Sequence, residues 1–175
     1  QATLDGHINV IGDWTLHSEN AGYLDAGNAT TNTDILINPN AGGLYGSGDI
    51  IKTGNGNIRF YQNLREWTGD LHIHDGFVGL QSYQTSMLNT DGVIYIGDPN
   101  AVETSLTRLR VEPRYGNNTI SLDSGFQTIE IARDIIVLDG LSQEVRVELA
   151  SSPETFLTFS GNLHVGDNSN FTTDS

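Results

Sequence analysis

A chain of 175 residues with 22 acidic and 8 basic side chains carries a formal net charge of −14. That charge repels nucleic-acid phosphates and anionic membrane surfaces, which excludes nucleic acid as an expected partner. There is no cysteine and hence no disulfide framework, and no apolar run reaches the roughly 20 residues needed for a membrane-inserted helix.

Residues 1–46 read as short strands at 8–11, 14–16 and 35–37, separated by Gly, Asn and Asp clusters, with 20–32 as a loop. Residues 48–80 follow as three strands with glycine-marked corners. Ile58 and Phe60 share one strand face, Leu71 and Ile73 a second, Val78 and Leu80 a third. Gly54, Gly56, Gly69 and Gly76 stand between these pairs, where a sharp turn needs left-handed angles or close backbone approach. A strand at 93–96 closes in Gly97-Asp98-Pro99-Asn100, a good turn sequence. In 106–111, Arg108 and Arg110 alternate with Leu109 and Val111, as on a half-buried strand that stops at Pro113. Further strands are expected at 119–122, 128–131, 135–138, 145–149, 156–159 and 163–165.

No helical period is sustained. Strands joined by corners too short for helices predict an all-β parallel β-helix, a β-solenoid, as one domain over 1–175. At roughly 20 residues per turn the chain makes about eight coils. The alternative architecture is a β-sandwich or jelly roll, with Asp75-Gly76, Asp91-Gly92 and Asp139-Gly140 as hairpin turns.

Lys52, Gly54 and Gly56 at alternate positions are followed by Ile58 and Phe60, then Asn63, then Trp67-Thr68-Gly69, then Ile73, Gly76, Val78 and Leu80. This order over 48–80 resembles the passenger-associated repeat of bacterial autotransporters. Segments 118–140 and 156–166 resemble degenerate copies of it. The resemblance implies a right-handed parallel β-helix on the outside of a Gram-negative cell. It also implies structural roles for Lys52, Gly54, Gly56, Asn63, Trp67, Thr68, Gly69 and Gly76. It implies no activity, since such passengers include adhesins, enzymes and inert stalks. No signal peptide is visible, which fits either a processed secreted chain or a segment of a longer passenger.

His72 and His74 lie two apart on a strand whose inward face is Leu71 and Ile73, so both point outward near Asp70 and Asp75. His72, His74 and Asp75 are therefore the candidate metal ligands, weighed against two solvated histidines on a polar face. Asp5, Asp13, Asp25, Asp34, Asp49, Asp98 and Asp123 fall at corners, where stacked carboxylates suit Ca²⁺ or simply close Asx turns. Arg108, Arg110 and Arg114 near Glu103 and Glu112 read as cross-strand salt bridges on an exposed face. Trp14, Trp67, Tyr61 and Tyr83 are candidates for a sugar-stacking surface. No catalytic residues or cofactor-binding residues are assigned. The expected function is a non-enzymatic extracellular structural protein, a self-assembling cell-surface filament subunit or stalk, with the chain itself as partner end to end or laterally. The alternative is an adhesin binding glycans or cell-surface receptors, and a polysaccharide lyase or hydrolase comes third.

Overall fold

The computed structural model describes residues 2–5, 7–19, 35–38, 43–61, 64, 66–82, 91–100, 106–113, 127–139, 144–149, 155–167 and 170–174. All regular structure among them is β. A first pass of the chain lays down β1 (Ala2–Asp5), β2 (Ile8–Val10) and β3 (Trp14–His17), and a second β4 (Ile35–Asn38), β5 (Leu44–Gly46) and β6 (Ile50–Thr53). The third gives β7 (Asn57–Tyr61), β8 (Glu66–Trp67) and β9 (Leu71–Ile73). The fourth gives β10 (Phe77–Ser82) and β11 (Val93–Ile96), and the fifth β12 (Leu106–Pro113), β13 (Gln127–Ile131) and β14 (Asp134–Val137). The sixth gives β15 (Glu144–Leu149), β16 (Thr155–Phe159) and β17 (Leu163–Val165), after which β18 (Asn170–Asp174) begins a seventh.

Each pass adds a strand to the same sheets. The seven-stranded sheet runs β1-β4-β7-β10-β12-β15-β18, and the six-stranded sheet runs β3-β6-β9-β11-β14-β17. A three-stranded sheet, β2-β5-β8, and a two-stranded sheet, β13-β16, complete the set, and none of the four closes on itself. All strand pairings among the described residues are parallel. This arrangement is compatible with a β-solenoid and departs from a sandwich or jelly roll, which is built from antiparallel hairpins. Gly76, at φ 74°, shows why the Asp-Gly pairs mislead: it turns the chain from β9 in one sheet to β10 in another, not back on itself. Asp91-Gly92 likewise precedes β11, which pairs with β9 and β14 rather than with its chain neighbour. The passes are unequal: Ile58 lies beside Val78, but Leu106 beside Glu144. The described residues thus make six passes and the first strand of a seventh, against the expected eight.

Alternation sets the core. In β6, β9, β11 and β14 every second residue points inward and is buried. Parallel register stacks them as two columns, Ile50-Leu71-Ile94-Ile135 and Lys52-Ile73-Ile96-Val137. The seven-stranded sheet contributes Ile58, Phe60, Val78, Leu80, Leu109 and Val111 from the opposite wall, all buried. Each such side chain removed from water contributes about 1.5–3 kcal/mol. β17 ends both columns, and there Leu163 and Val165 are 47% and 44% exposed.

Lys52 interrupts an apolar column, yet it is only 1% exposed. Its ammonium donates to the carbonyl oxygens of Thr53 (3.0 Å) and Asp75 (3.0 Å) and to that of Gly54. One cation thus closes the corner after β6 and the equivalent corner after β9, adding a charged donor to the Thr53 carbonyl, which also accepts the Ser18 amide, and to those of Gly54 and Asp75. Lys52 is therefore a corner clamp. Lys52→Met keeps the stem and removes the charged donor shared by these three carbonyls; about 2–3 kcal/mol of stability is expected to go. Urea unfolding of the variant beside the parent checks this, and a loss below about 0.5 kcal/mol would contradict the clamp.

Candidate functional site

The corner leading into the six-stranded sheet is written as Gly-Asp in successive passes: Gly12-Asp13, Gly48-Asp49 and Gly69-Asp70. Close stacking explains the glycines. A Cβ on Gly69 would overlap the Gly48 carbonyl oxygen and stand 2.7 Å from its carbon. Stacking also orients the aspartates. Asp49 Oδ1 accepts the Asp70 amide (2.9 Å), and Asp70 Oδ1 accepts the Val93 amide (2.7 Å). Asp134 repeats the arrangement, accepting the Asn162 amide at 2.7 Å. These corner carboxylates hold the next pass of the chain. A local Asx turn occurs at Asp98, whose Oδ1 accepts the Asn100 amide at 2.8 Å. Asp25, Asp34 and Asp123 lie outside the described residues, as does the Asp5 side chain.

Outward from this corner, Ile51, His72, Tyr95, Ile136 and His164 occupy one register line across β6, β9, β11, β14 and β17. The His72 ring stacks on Tyr95, with centroids 4.8 Å apart and planes at 12°. His72 Nε2 stands 3.9 Å from Asp49 Oδ2, both side chains being partly exposed. Asp49, Asp70 and His72 each present one ligating atom, all within 4.8 Å of one another. The structure places the expected trio differently. His74 meets His72 edge-on at 6.3 Å, and Asp75 Oδ1 accepts the Gly76 amide at 2.6 Å. Neither belongs to the cluster around His72. The aspartates that do were legible as a Gly-Asp-Ile and a Gly-Asp-Leu one pass apart, a spacing that becomes proximity once register is known.

Beneath the corner, on the inside, lies a cation that the sequence reading did not single out. Arg133, between β13 and β14, has no exposed surface. Its guanidinium sits 4.6 Å over the Trp67 ring and donates to the carbonyl oxygens of Gly69 (2.7 Å) and Trp67. Burial lowers its pKa to about 10, with Asp70 and Asp91 pulling it back up. Trp67 is 1% exposed, and its indole N–H donates to the Gly48 carbonyl at 2.8 Å. It is an interior corner residue and cannot belong to a sugar-stacking surface. Trp14 packs partly buried against the core; the Tyr61 and Tyr83 side chains lie outside the described residues, as does Asn63. Thr68 binds the Gly46 carbonyl through both its amide (2.8 Å) and hydroxyl (3.2 Å).

The arginine-bearing face of the seven-stranded sheet is less exposed than expected. Arg108 pairs with Glu148 at 2.9 Å, with 7% and 12% of the two side chains exposed. Arg59 is buried too, 5.4 Å over the Phe77 ring. A neighbouring pair, Arg146 with Glu144 at 2.6 Å, is more open. Arg108 thus takes a partner from the next strand, β15, while Glu103, Arg114 and the Glu112 side chain lie outside the described residues. Set against known protein families, curated proteins and solved structures, the chain has no match.

Proposed function

We propose that this chain is a non-enzymatic structural β-solenoid of the cell surface, right-handed and of the autotransporter-passenger type, that extends by stacking further coils on its end. The observation that carries this reading is the in-register parallel ladder, whose two inward columns run from β3 through β17. Leu163 and Val165 sit in the two inward columns that are buried in the preceding strands, yet nearly half of each is exposed. A further parallel strand bearing Trp14 and Leu16, as β3 does at the other end of the same sheet, continues both columns with apolar residues. The ladder that binds one pass to the next thus serves equally between two copies. The resemblance of 48–80 to the passenger repeat supports the extracellular setting, and the capping duties of Lys52, Trp67, Asp49 and Asp70 support a structural reading of the residues that carry it.

Negative-stain microscopy and light scattering of the same sample test the proposal. Fibres whose length grows with concentration, and which shorten or vanish in Leu163→Glu/Val165→Glu, are expected. A monodisperse monomer at high concentration would sink it. The adhesin alternative draws on the outward Tyr95 and His72 stack, and glycan binding by such a monomer would favour it.

A further inference from the structure

We propose that Asp49, Asp70 and His72 form a site for one divalent transition-metal ion, of the zinc, cobalt or manganese kind, on the side of the coil. The inference does not depend on end-to-end assembly. It begins with the donor set: two carboxylate oxygens and one imidazole nitrogen, all within 4.8 Å of one another. Ligands bound about 2.0–2.2 Å from one ion lie roughly 3–4 Å apart, so small side-chain rotations bring these three to bonding distance.

The donors come from two adjacent passes at neighbouring register positions, since Ile50 pairs with Leu71 and Ile51 with His72. Their separation is therefore set by the strand spacing of about 4.8 Å rather than by a loop. Asp70 and His72 are also oriented by contacts outside the trio. Asp70 Oδ1 is occupied by the Val93 amide, which leaves Oδ2 for an ion, and the His72 ring lies flat against Tyr95. Asp49 Oδ1 is held from within the trio, by the Asp70 backbone amide. Outer contacts that aim ligands in this way are what a metal centre needs around it.

Charge and chemistry choose the ion. Two carboxylates face the site, Arg133 lies below Asp70 inside the coil, and His74 and Tyr95 flank His72. A dication is thus attracted, though less strongly than by an isolated carboxylate pair. Ca²⁺ takes six to eight oxygens and has little use for imidazole. A nitrogen with two oxygens suits first-row transition ions, and three protein ligands leave positions for water.

Cobalt(II) titration of the metal-free chain, read by its visible absorption, tests the assignment. One ion per chain is expected, with binding weakened about tenfold or more in both His72→Phe, which retains the ring stacked on Tyr95, and Asp70→Asn, which retains the Val93 cap. His164→Ala, on the same register line but distant from the trio, is expected to bind as the parent does. In the parent, Mn²⁺ is expected to broaden the Tyr95 ring resonances selectively. Undiminished binding by His72→Phe, unaffected Tyr95 signals, or displacement by equimolar Ca²⁺ would each overturn the proposal.

Discussion

Trp67→Ala is expected to lose about 3–5 kcal/mol of unfolding free energy, the usual cost of deleting a buried indole. The contacts argue for the upper part of that range. The ring is almost wholly buried, it forms the floor on which the Arg133 guanidinium lies, and its N–H is the donor to the Gly48 carbonyl. Its removal therefore leaves a cavity, an acceptor without its donor, and a buried cation over empty space. Trp67→Phe separates these contributions. It retains most of the apolar area and the ring face but not the N–H, and about 1–2 kcal/mol is expected. Denaturant unfolding of both variants, compared through their midpoints at constant slope, gives the two figures. A Trp67→Ala loss below about 1 kcal/mol would mean that the corner relaxes around the gap.

Gly69→Ala is expected to cost more than about 4 kcal/mol, a loss comparable with the whole stability of many domains. The new methyl meets backbone rather than a side-chain tip: the Gly48 carbonyl oxygen and carbon lie within overlap distance, and Trp67 Nε1 is 2.8 Å away. Relief requires two passes of the chain to part, which breaks the Thr68–Gly46 and Trp67–Gly48 hydrogen bonds. Gly12 carries the same local sequence, Gly-Asp, two passes further toward the β3 edge of the sheet. Nothing lies within 4 Å of a Cβ there, so Gly12→Ala is expected to fall within about 0.5 kcal/mol of the parent. Soluble yield and thermal unfolding of the two variants make the comparison. Equal behaviour would refute close stacking as the reason for the glycine.

What the sequence revealed and what it hid divide along physical lines. The strands at 93–96 and 163–165 were legible to the residue, because an apolar alternation ended there in turn residues. β5 and β8 were not: Leu44-Tyr45-Gly46 and Glu66-Trp67 are too short to show a period. β6 was hidden by Lys52, a charge standing where the alternation calls for an apolar residue. Glycine corners were visible but their direction was not, so Asp75-Gly76 served a hairpin reading as well as a coil. At the candidate site, His72 was legible from its place opposite Leu71 and Ile73, whereas its partners depend on which pass lies beside which. Unequal passes conceal that register. The 114–126 segment, with the expected strand at 119–122, lies outside the described residues, and with it part of the degenerate copy expected at 118–140.

Arg133 carries one more consequence. It belongs to the fifth pass but binds Trp67 and Gly69 in the third, passing Gly92 of the fourth. A stack whose members touch only their immediate neighbours behaves like a one-dimensional chain of independent links, free to melt from either end. A strut that skips a link converts three of them into a single thermodynamic unit. Amide hydrogens of β9, β11 and β14 should then exchange through one shared opening event, while those of β3 and β17 exchange by fraying at far lower free energy. The coil would possess a middle as well as two ends.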